Sequence, residues 1–184
     1  MWIVGSSTGI GEQLAYQLAK LNCRLILTST TESKLQQVKE NCLKASTGLK
    51  PDDILVLAYD VSNYQENDVA FKKIIDKFGN VDIVVNNQAR IFTSKLVEDD
   101  FELTQKLMAV NYFSPVYITK MVVKHWLAIK SKGQLMATSS VGAQVDFPFF
   151  SHYSASKRAL NAFFRDVANQ HECNGIKVGS TDPF

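Results

Sequence analysis

Apolar runs and helix-period segments alternate along the chain. Trp2 to Val4 is a strand stub that runs into a glycine-rich segment. From Glu12 to Leu21, the residues Leu14, Ala15, Leu18 and Ala19 recur on one helical face. Leu25 to Ser29 reads as a strand, and a helix from Ser33 turns Leu35, Val38 and Cys42 inward. Ile54 to Tyr59 predicts a buried strand, and Phe71, Ile74, Ile75 and Phe78 mark the next helix. Val81 to Asn86 is a third internal strand of the continuous apolar kind. A long helical region from about Phe101 to Lys130 contains Pro115, so a kink is expected near Asn111. Leu135 to Ser139 predicts a strand, Tyr153 to about His171 a helix, and Ile176 to Ser180 a last strand.

Such alternation predicts a parallel sheet with helices on both faces. Right-handed crossovers make the doubly wound arrangement the leading topology. The expected fold is therefore α/β, a three-layer αβα Rossmann fold forming a single nucleotide-binding domain over residues 1–184. Ligands of such sheets bind beyond the carboxyl ends of the strands, so residues that follow strands carry the interest.

Composition narrows the function without choosing it. Twenty Lys plus Arg stand against 18 Asp plus Glu, and a net charge of +2 gives no reason to invoke nucleic acid. Cys23, Cys42 and Cys173 are odd in number and widely spaced; they form neither a disulfide framework nor a metal-ligand cluster, which suits a reducing compartment. No apolar run approaches the roughly 20 residues that span a bilayer, and no signal peptide is apparent, so the chain as written reads as soluble and cytoplasmic.

The segment Gly5-Ser6-Ser7-Thr8-Gly9-Ile10-Gly11 joins the first strand to the first helix. Glycines permit a tight turn and a close approach of backbone to a pyrophosphate, and the helix start offers free N–H groups and partial positive charge. Gly5, Ser7, Thr8, Gly9, Ile10 and Gly11 are the candidate phosphate cradle. A turn that only packs helix on strand is the plainer reading of such a motif, and its place in the first βα unit favours binding. Asp60, with Val61 beside it after the third strand, fits either an adenine amino contact or a surface cap.

Tyr153-Ser154-Ala155-Ser156-Lys157 is the most chemically loaded stretch. Spacing of four residues places phenol and ammonium on one helical face. A free phenol titrates near ~10, and bringing it to neutrality requires about 4 kcal/mol. A neighbouring cation favours phenolate, and a positively charged nicotinamide ring with partial burial would supply what Lys157 alone does not. Ser140 follows a strand and can hydrogen-bond the oxygen of a carbonyl or alcohol, orienting it toward Tyr153. Asn111, at the expected kink, can hold a water that relays protons to Lys157. Taken alone, Tyr-x-x-x-Lys is a common surface pair; the glycine loop, the strand-end serine and the asparagine together count against that.

These residues resemble the short-chain dehydrogenase/reductase family. Its glycine signature matches Gly5, Gly9 and Gly11, and its Asn-Ser-Tyr-Lys tetrad matches Asn111, Ser140, Tyr153 and Lys157 in order and spacing. Its strand-end Asp matches Asp60, and its Asn-Asn-Ala-Gly motif is partly present at Asn86-Asn87, which makes Asn87 a cofactor-binding candidate. The stretch G-E-Q-L-A-Y-Q-L-A-K-L, followed by K-E-N-C-L and D-I-L-V-L, is similar to one subgroup that favours NADPH and acts on retinoids, steroids and other carbonyl compounds. That subgroup is commonly anchored to the endoplasmic reticulum by an N-terminal segment, so such an association is expected if an anchor is missing here. The resemblance implies reversible hydride transfer between NAD(P)(H) and an alcohol/carbonyl pair. Tyr153 is then the general acid/base and Ser140 the orienting hydroxyl, while Lys157 lowers the tyrosine pKa and binds the nicotinamide ribose.

The sequence also departs from the family pattern. Gln88-Ala89-Arg90 stands where the family has Ala-Gly or Gly-Gly, and a long side chain at Gln88 is expected to crowd the adenosine ribose. The second strand ends Thr28-Ser29-Thr30-Thr31, with neither the arginine of NADP-preferring relatives nor an acid in its place. A hydroxyl such as that of Thr30 can bond a 2′-phosphate, which favours NADP(H) over NAD(H). Asp182-Pro183-Phe184 stands at the family's Pro-Gly motif, placing Pro183 at the nicotinamide. The fold is expected to be incomplete at the C-terminus, without a last strand and a substrate lid.

Two other readings stand beside an NADP(H)-dependent oxidoreductase acting on a small apolar alcohol or carbonyl. One is a truncated, inactive fragment that binds nucleotide or a full-length relative. The other, a nucleotide-sugar epimerase, lacks a substrate domain. Phe147, Phe149 and Phe150 can line an apolar pocket or simply pack their loop. His152 reads as a surface or packing residue. His125 and Trp126 lie on the long helix that pairs subunits in many relatives, so a homodimer is expected.

Overall fold

The computed structural model describes residues 1–183, apart from the side chain of Leu96. Two compact units are present, Met1–Gln88 and the segment from Ala89 onward.

Unit 1 runs β1 (Trp2–Val4), α1 (Gly9–Lys20), β2 (Leu25–Ser29), α2 (Glu32–Ala45), β3 (Ile54–Ala58), α3 (Tyr64–Phe78) and β4 (Ile83–Asn86). Its strands lie parallel in the order β3-β2-β1-β4, with Ile3 opposite both Leu27 and Val85. Two successive crossovers step outward from β1, and the third returns to β1's other side. This is the reversal that defines a doubly wound sheet, and it opens a crevice at the carboxyl end of β1.

Alternation along the strands explains the two covered faces. Ile3, Leu25 and Leu27 point into a cluster with Ala15 and Ala19 of α1 and Leu35, Val38 and Cys42 of α2. Trp2 points the other way, stacks on Phe71 of α3 at 6.3 Å between ring centroids, and donates its indole N–H to Thr28 Oγ1. Of the helix faces read from sequence, Ala15, Ala19, Leu35, Val38, Cys42 and Ile74 are fully buried, while Leu14, Leu18, Phe71, Ile75 and Phe78 are half-buried.

Unit 2 contains α4 (Phe101–Met108), α5 (Ser114–Ala128), β5 (Gly133–Thr138), α6 (Ser151–His171) and β6 (Ile176–Thr181). β5 and β6 pair in parallel from Gly133↔Ile176 to Thr138↔Thr181. The predicted kink takes a specific form, a π-helical turn at Ala109–Phe113 between α4 and α5. Pro115 explains it, because its nitrogen has no hydrogen to offer the Asn111 carbonyl four residues back. The helix widens by one residue, and the Ser114 N–H reaches back five to the Ala109 carbonyl.

Trp126 corrects an expectation. It is fully buried, and a Cβ on Gly133 would fall 2.4 Å from its ring, so β5 passes flush against the indole. This tryptophan belongs to the core of unit 2. All three cysteines are free thiols. No helix among the described residues is long and apolar enough to cross a membrane.

Candidate active site

Unit 1 supplies a cradle at the carboxyl end of β1. Gly5 and Ser6 donate their backbone N–H groups to the Thr28 carbonyl at 2.7 and 3.1 Å, and the Thr28 N–H returns a bond to Ser6 Oγ. Ser6 is thereby sealed inside, and the loop is fastened to β2. Gly5 has φ +80°, and a Cβ there would meet the Gln88 backbone at 2.8 Å. Gly11 admits none either, since its Cβ would lie 2.2 Å from the Gly5 carbonyl oxygen. Ser7 is half-buried, whereas Thr8, Gly9 and Ile10 are exposed at the start of α1. Thr8 is the N-cap but makes no side-chain capping bond, so the first amides of α1 are left for an anion.

Asn87 serves the cradle from below. Its Nδ2 donates to the Gly5 carbonyl at 2.8 Å and its N–H to the Val4 carbonyl. Gln88 departs from expectation: its side chain is buried and donates to Asn86 Oδ1, so it is tucked into unit 1 instead of standing out from it. Asp60 Oδ1 accepts from the N–H and Oγ of Ser62, a turn-capping role. Val61 is buried, and its carbonyl accepts from Asn67, whose Oδ1 takes the Tyr59 hydroxyl at 3.0 Å. Burial pushes the Tyr59 phenol well above its ordinary range. Thr30 is exposed beyond β2, and the Thr31 N–H donates to Ser29 Oγ.

Unit 2 gathers the candidate acid–base residues. Ser140 ends the strand β5 and caps a short 3₁₀ turn, accepting the Gly142 N–H on its Oγ at 3.1 Å. That bond occupies an acceptor position and leaves the hydroxyl hydrogen free to donate. A Cβ placed on Gly142 would lie 3.5 Å from Ser140 Oγ and 3.6 Å from Tyr153 Cε1, so serine and tyrosine converge on one small space. Lys157 Nζ lies 5.9 Å from the Tyr153 ring centroid, on the same face of α6. The Lys157 ammonium is almost wholly buried and donates to the Thr138 carbonyl at 2.8 Å. Burial brings it down to about 8.

Asn111 is fully buried, and its side chain is spent on structure. It accepts the Arg90 N–H at 2.7 Å and donates to the Arg90 carbonyl at 2.8 Å and to Ser156 Oγ at 3.1 Å. A water relay through its amide does not fit this arrangement.

Sequence reasoning missed two contacts here. His152 pairs with Asp99, whose carboxylate is nearly buried, and stacks on Phe92. Asp182 accepts from Asn161 and Gln144. Nothing local marks either acid, since each partner lies on a separate element. Pro183 accepts the Val141 N–H on its carbonyl oxygen.

The family described as short chain dehydrogenase matches residues 1–183. The chain belongs to the short-chain dehydrogenase/reductase family. Mouse dehydrogenase/reductase SDR family member 7 is 37% identical to this short-chain dehydrogenase/reductase over 170 residues, covering 92% of it and 50% of the mouse protein. The 11-beta-hydroxysteroid dehydrogenase-like 4A of Arabidopsis thaliana is 37% identical over 167 residues, with shares of 90% and 54%. The chain thus spans about half the length of the curated relatives it matches. A solved short-chain dehydrogenase/reductase of unknown function from Caenorhabditis elegans, with its cofactor, aligns at a TM-score of 0.89 and 26% identity, covering 99% of this chain and 68% of that one.

Proposed function

We propose that this chain reduces or oxidises an apolar alcohol/carbonyl pair with a nicotinamide dinucleotide, NADP(H) in preference to NAD(H). The observation that carries the reading is the convergence of Ser140 Oγ and Tyr153 on the space beside Gly142, with the Lys157 ammonium held on the tyrosine's face of α6.

The cradle of unit 1 fits the nucleotide. The exposed positive-φ Gly9, with open space where its Cβ would lie, and the uncapped start of α1 suit a pyrophosphate. Ser7, Thr8, Ile10 and Asn87 complete the cradle, and Asp60 and Val61 would contact the adenine. By the family's pattern Lys157 would hold the nicotinamide ribose, and Pro183 would contact the nicotinamide. The exposed Thr30 and the uncapped N-terminus of α2 supply donors for a 2′-phosphate. The bound nucleotide supplies or accepts the hydride.

This chain's residues manage the proton. Ser140 donates its free hydroxyl hydrogen to the substrate oxygen and fixes it. Tyr153 gives its phenolic proton to that oxygen during reduction and takes it back during oxidation. The Lys157 ammonium stabilises the phenolate that results, and its own pKa of about 8 lets it exchange protons near neutrality.

An apolar substrate follows from the surroundings of Tyr153. Phe150 packs edge-on against it at 6.4 Å, and Phe147 against Phe150 at 6.2 Å. Phe147 and Phe149 stay exposed, and Phe149 holds φ +69°. A bulky residue at positive φ stores strain that a purely structural loop would shed.

Purified chain should bind NADPH more tightly than NADH, and Tyr153→Phe should lower carbonyl reduction by roughly 10²- to 10⁴-fold with nucleotide affinity unchanged. Binding of neither nucleotide, or undiminished reduction by the variant, would remove the reading.

A further inference from the structure

Ser140 acts only if its hydroxyl stays aimed, and the amides on either side of it decide where its turn sits. The Ser139 N–H donates to the Thr181 carbonyl at 2.7 Å and the Val141 N–H to the Pro183 carbonyl at 3.0 Å. These bonds extend the β5–β6 ladder past its last pair, Thr138↔Thr181. Asp182 lies between the two accepting residues, and its side chain does something the ladder does not.

One carboxylate oxygen, Oδ1, accepts from Asn161 Nδ2 at 3.1 Å; the other, Oδ2, accepts from Gln144 Nε2 at 3.1 Å. Asn161 is buried on α6, one helical turn beyond Lys157. Gln144 closes the 3₁₀ turn that Ser140 opens, through its own N–H to the Val141 carbonyl. The Asp182 carboxylate therefore fastens the far end of the serine turn to the helix that carries Tyr153 and Lys157, beside a second tie in which Arg158 Nε donates to the Ala143 carbonyl at 3.2 Å. Burial raises the Asp182 carboxyl, but hydrogen bonds from Asn161 and Gln144, with the Ser140 backbone beyond them, outweigh it and hold the group below its ordinary range. It is an anion whenever the protein is near neutral pH.

We propose that Asp182 is a positioning residue: its carboxylate ties the Ser140–Gln144 turn to α6 and so keeps the Ser140 hydroxyl trained on the substrate oxygen. Asp182 touches no reacting atom and acts through Ser140. The role rests on the oxidoreductase reading above, in which Ser140 orients the substrate. Small misplacement of an orienting group is enough to matter, since about 1 Å can cost on the order of 10²-fold in rate.

The test combines Asp182→Ala, Asn161→Ala, their double variant and Ser140→Ala. Each is read by amide hydrogen exchange over residues 138–145, by kcat and KM for an apolar carbonyl, and by NADPH affinity. Each clamp variant should exchange these amides at least about tenfold faster and lose about tenfold in kcat, with NADPH affinity unchanged. The double variant should lose no more than either single one, because both remove the same tie. Unchanged exchange in Asp182→Ala overturns the clamp whatever the activity does. Faster exchange with wild-type kcat, or additive losses, overturns the positioning role and leaves an ordinary strand-end contact. If Ser140→Ala reduces the carbonyl as the wild type does, the assigned chemistry fails and the positioning role falls with it, while the exchange arm still reads the clamp separately.

Discussion

At the level of single residues, Lys157 carries a conflict between stability and function. Its side chain is 1% exposed, and one backbone carbonyl is the acceptor its ammonium finds. Holding a cation there costs about 3 kcal/mol, by the fall of its pKa to about 8. A methionine of similar length would relieve that cost and lose a hydrogen bond of roughly 1 kcal/mol. Lys157→Met should therefore raise the unfolding free energy at pH 7 by about 2 kcal/mol, measured by urea denaturation, while carbonyl reduction collapses. A variant less stable than the wild type would show that the buried ammonium is better solvated than this reasoning holds. The residue is legible in the sequence because its chemistry is local, four positions from Tyr153 on one helix. Asp182 was not, because its partners Asn161 and Gln144 lie 21 and 38 positions away and no local pattern joins them.

Among the elements, α6 is held at its first turn by a contact that also crosses a long stretch of chain. His152 pairs with Asp99, whose side chain is 6% exposed, and its ring stacks on Phe92 at 6.0 Å. The segment ahead of α4 is thereby bound to the turn that bears Tyr153. Removing the imidazole leaves the nearly buried Asp99 carboxylate without its partner, which costs about 1–3 kcal/mol. His152→Ala should destabilise the chain by about that much in chemical denaturation, and Asp99→Asn with His152 kept should lose less. Equal, small losses from both would mean the pair is wetter than its burial implies. Read as a sequence, His152 is a surface or packing residue, since a lone histidine beside Tyr153 has no signature of its own. The alternation of strands and helices was far more legible, because burial of β1 to β4 on two faces imposes continuous apolar runs. The π-turn was only half legible: Pro115 announces an interruption but not whether the helix bends or widens.

For the molecule as a whole, the perturbed groups set a stability profile against pH. The Lys157 ammonium sits at about 8 in the folded chain and near ~10.4 unfolded. Above pH 8 the unfolded chain therefore binds more protons, and stability rises by about 1.4 kcal/mol per pH unit. Cys42 opposes this, because burial pushes its thiol up to about 11; above its unfolded value the folded chain is the one that keeps the proton. Tyr59, raised by burial, adds a second opposing contribution beyond about pH 10. Stability should climb from pH 8 to 9, level off, then fall above about pH 10. Lys157→Met should abolish the climb, and Cys42→Ala should prolong it; thermal melts across this range check both. A profile flat from pH 8 to 9 would contradict the buried-ammonium assignment.

The widened turn at Ala109–Phe113 holds one residue more than an α-helix of the same rise would need. Loss of Ala109 would take out that extra residue and preserve the phases of α4 and α5, so Ile118, Val122 and Trp126 would still face inward, with Pro115 still interrupting the ladder. Asn111 would swing away from Arg90 and Ser156. Such a shortened protein would strand the buried polar groups that Asn111 now satisfies and should be less stable than its parent by about 1–3 kcal/mol, which marks the surplus residue as slack in the backbone that aims one side chain.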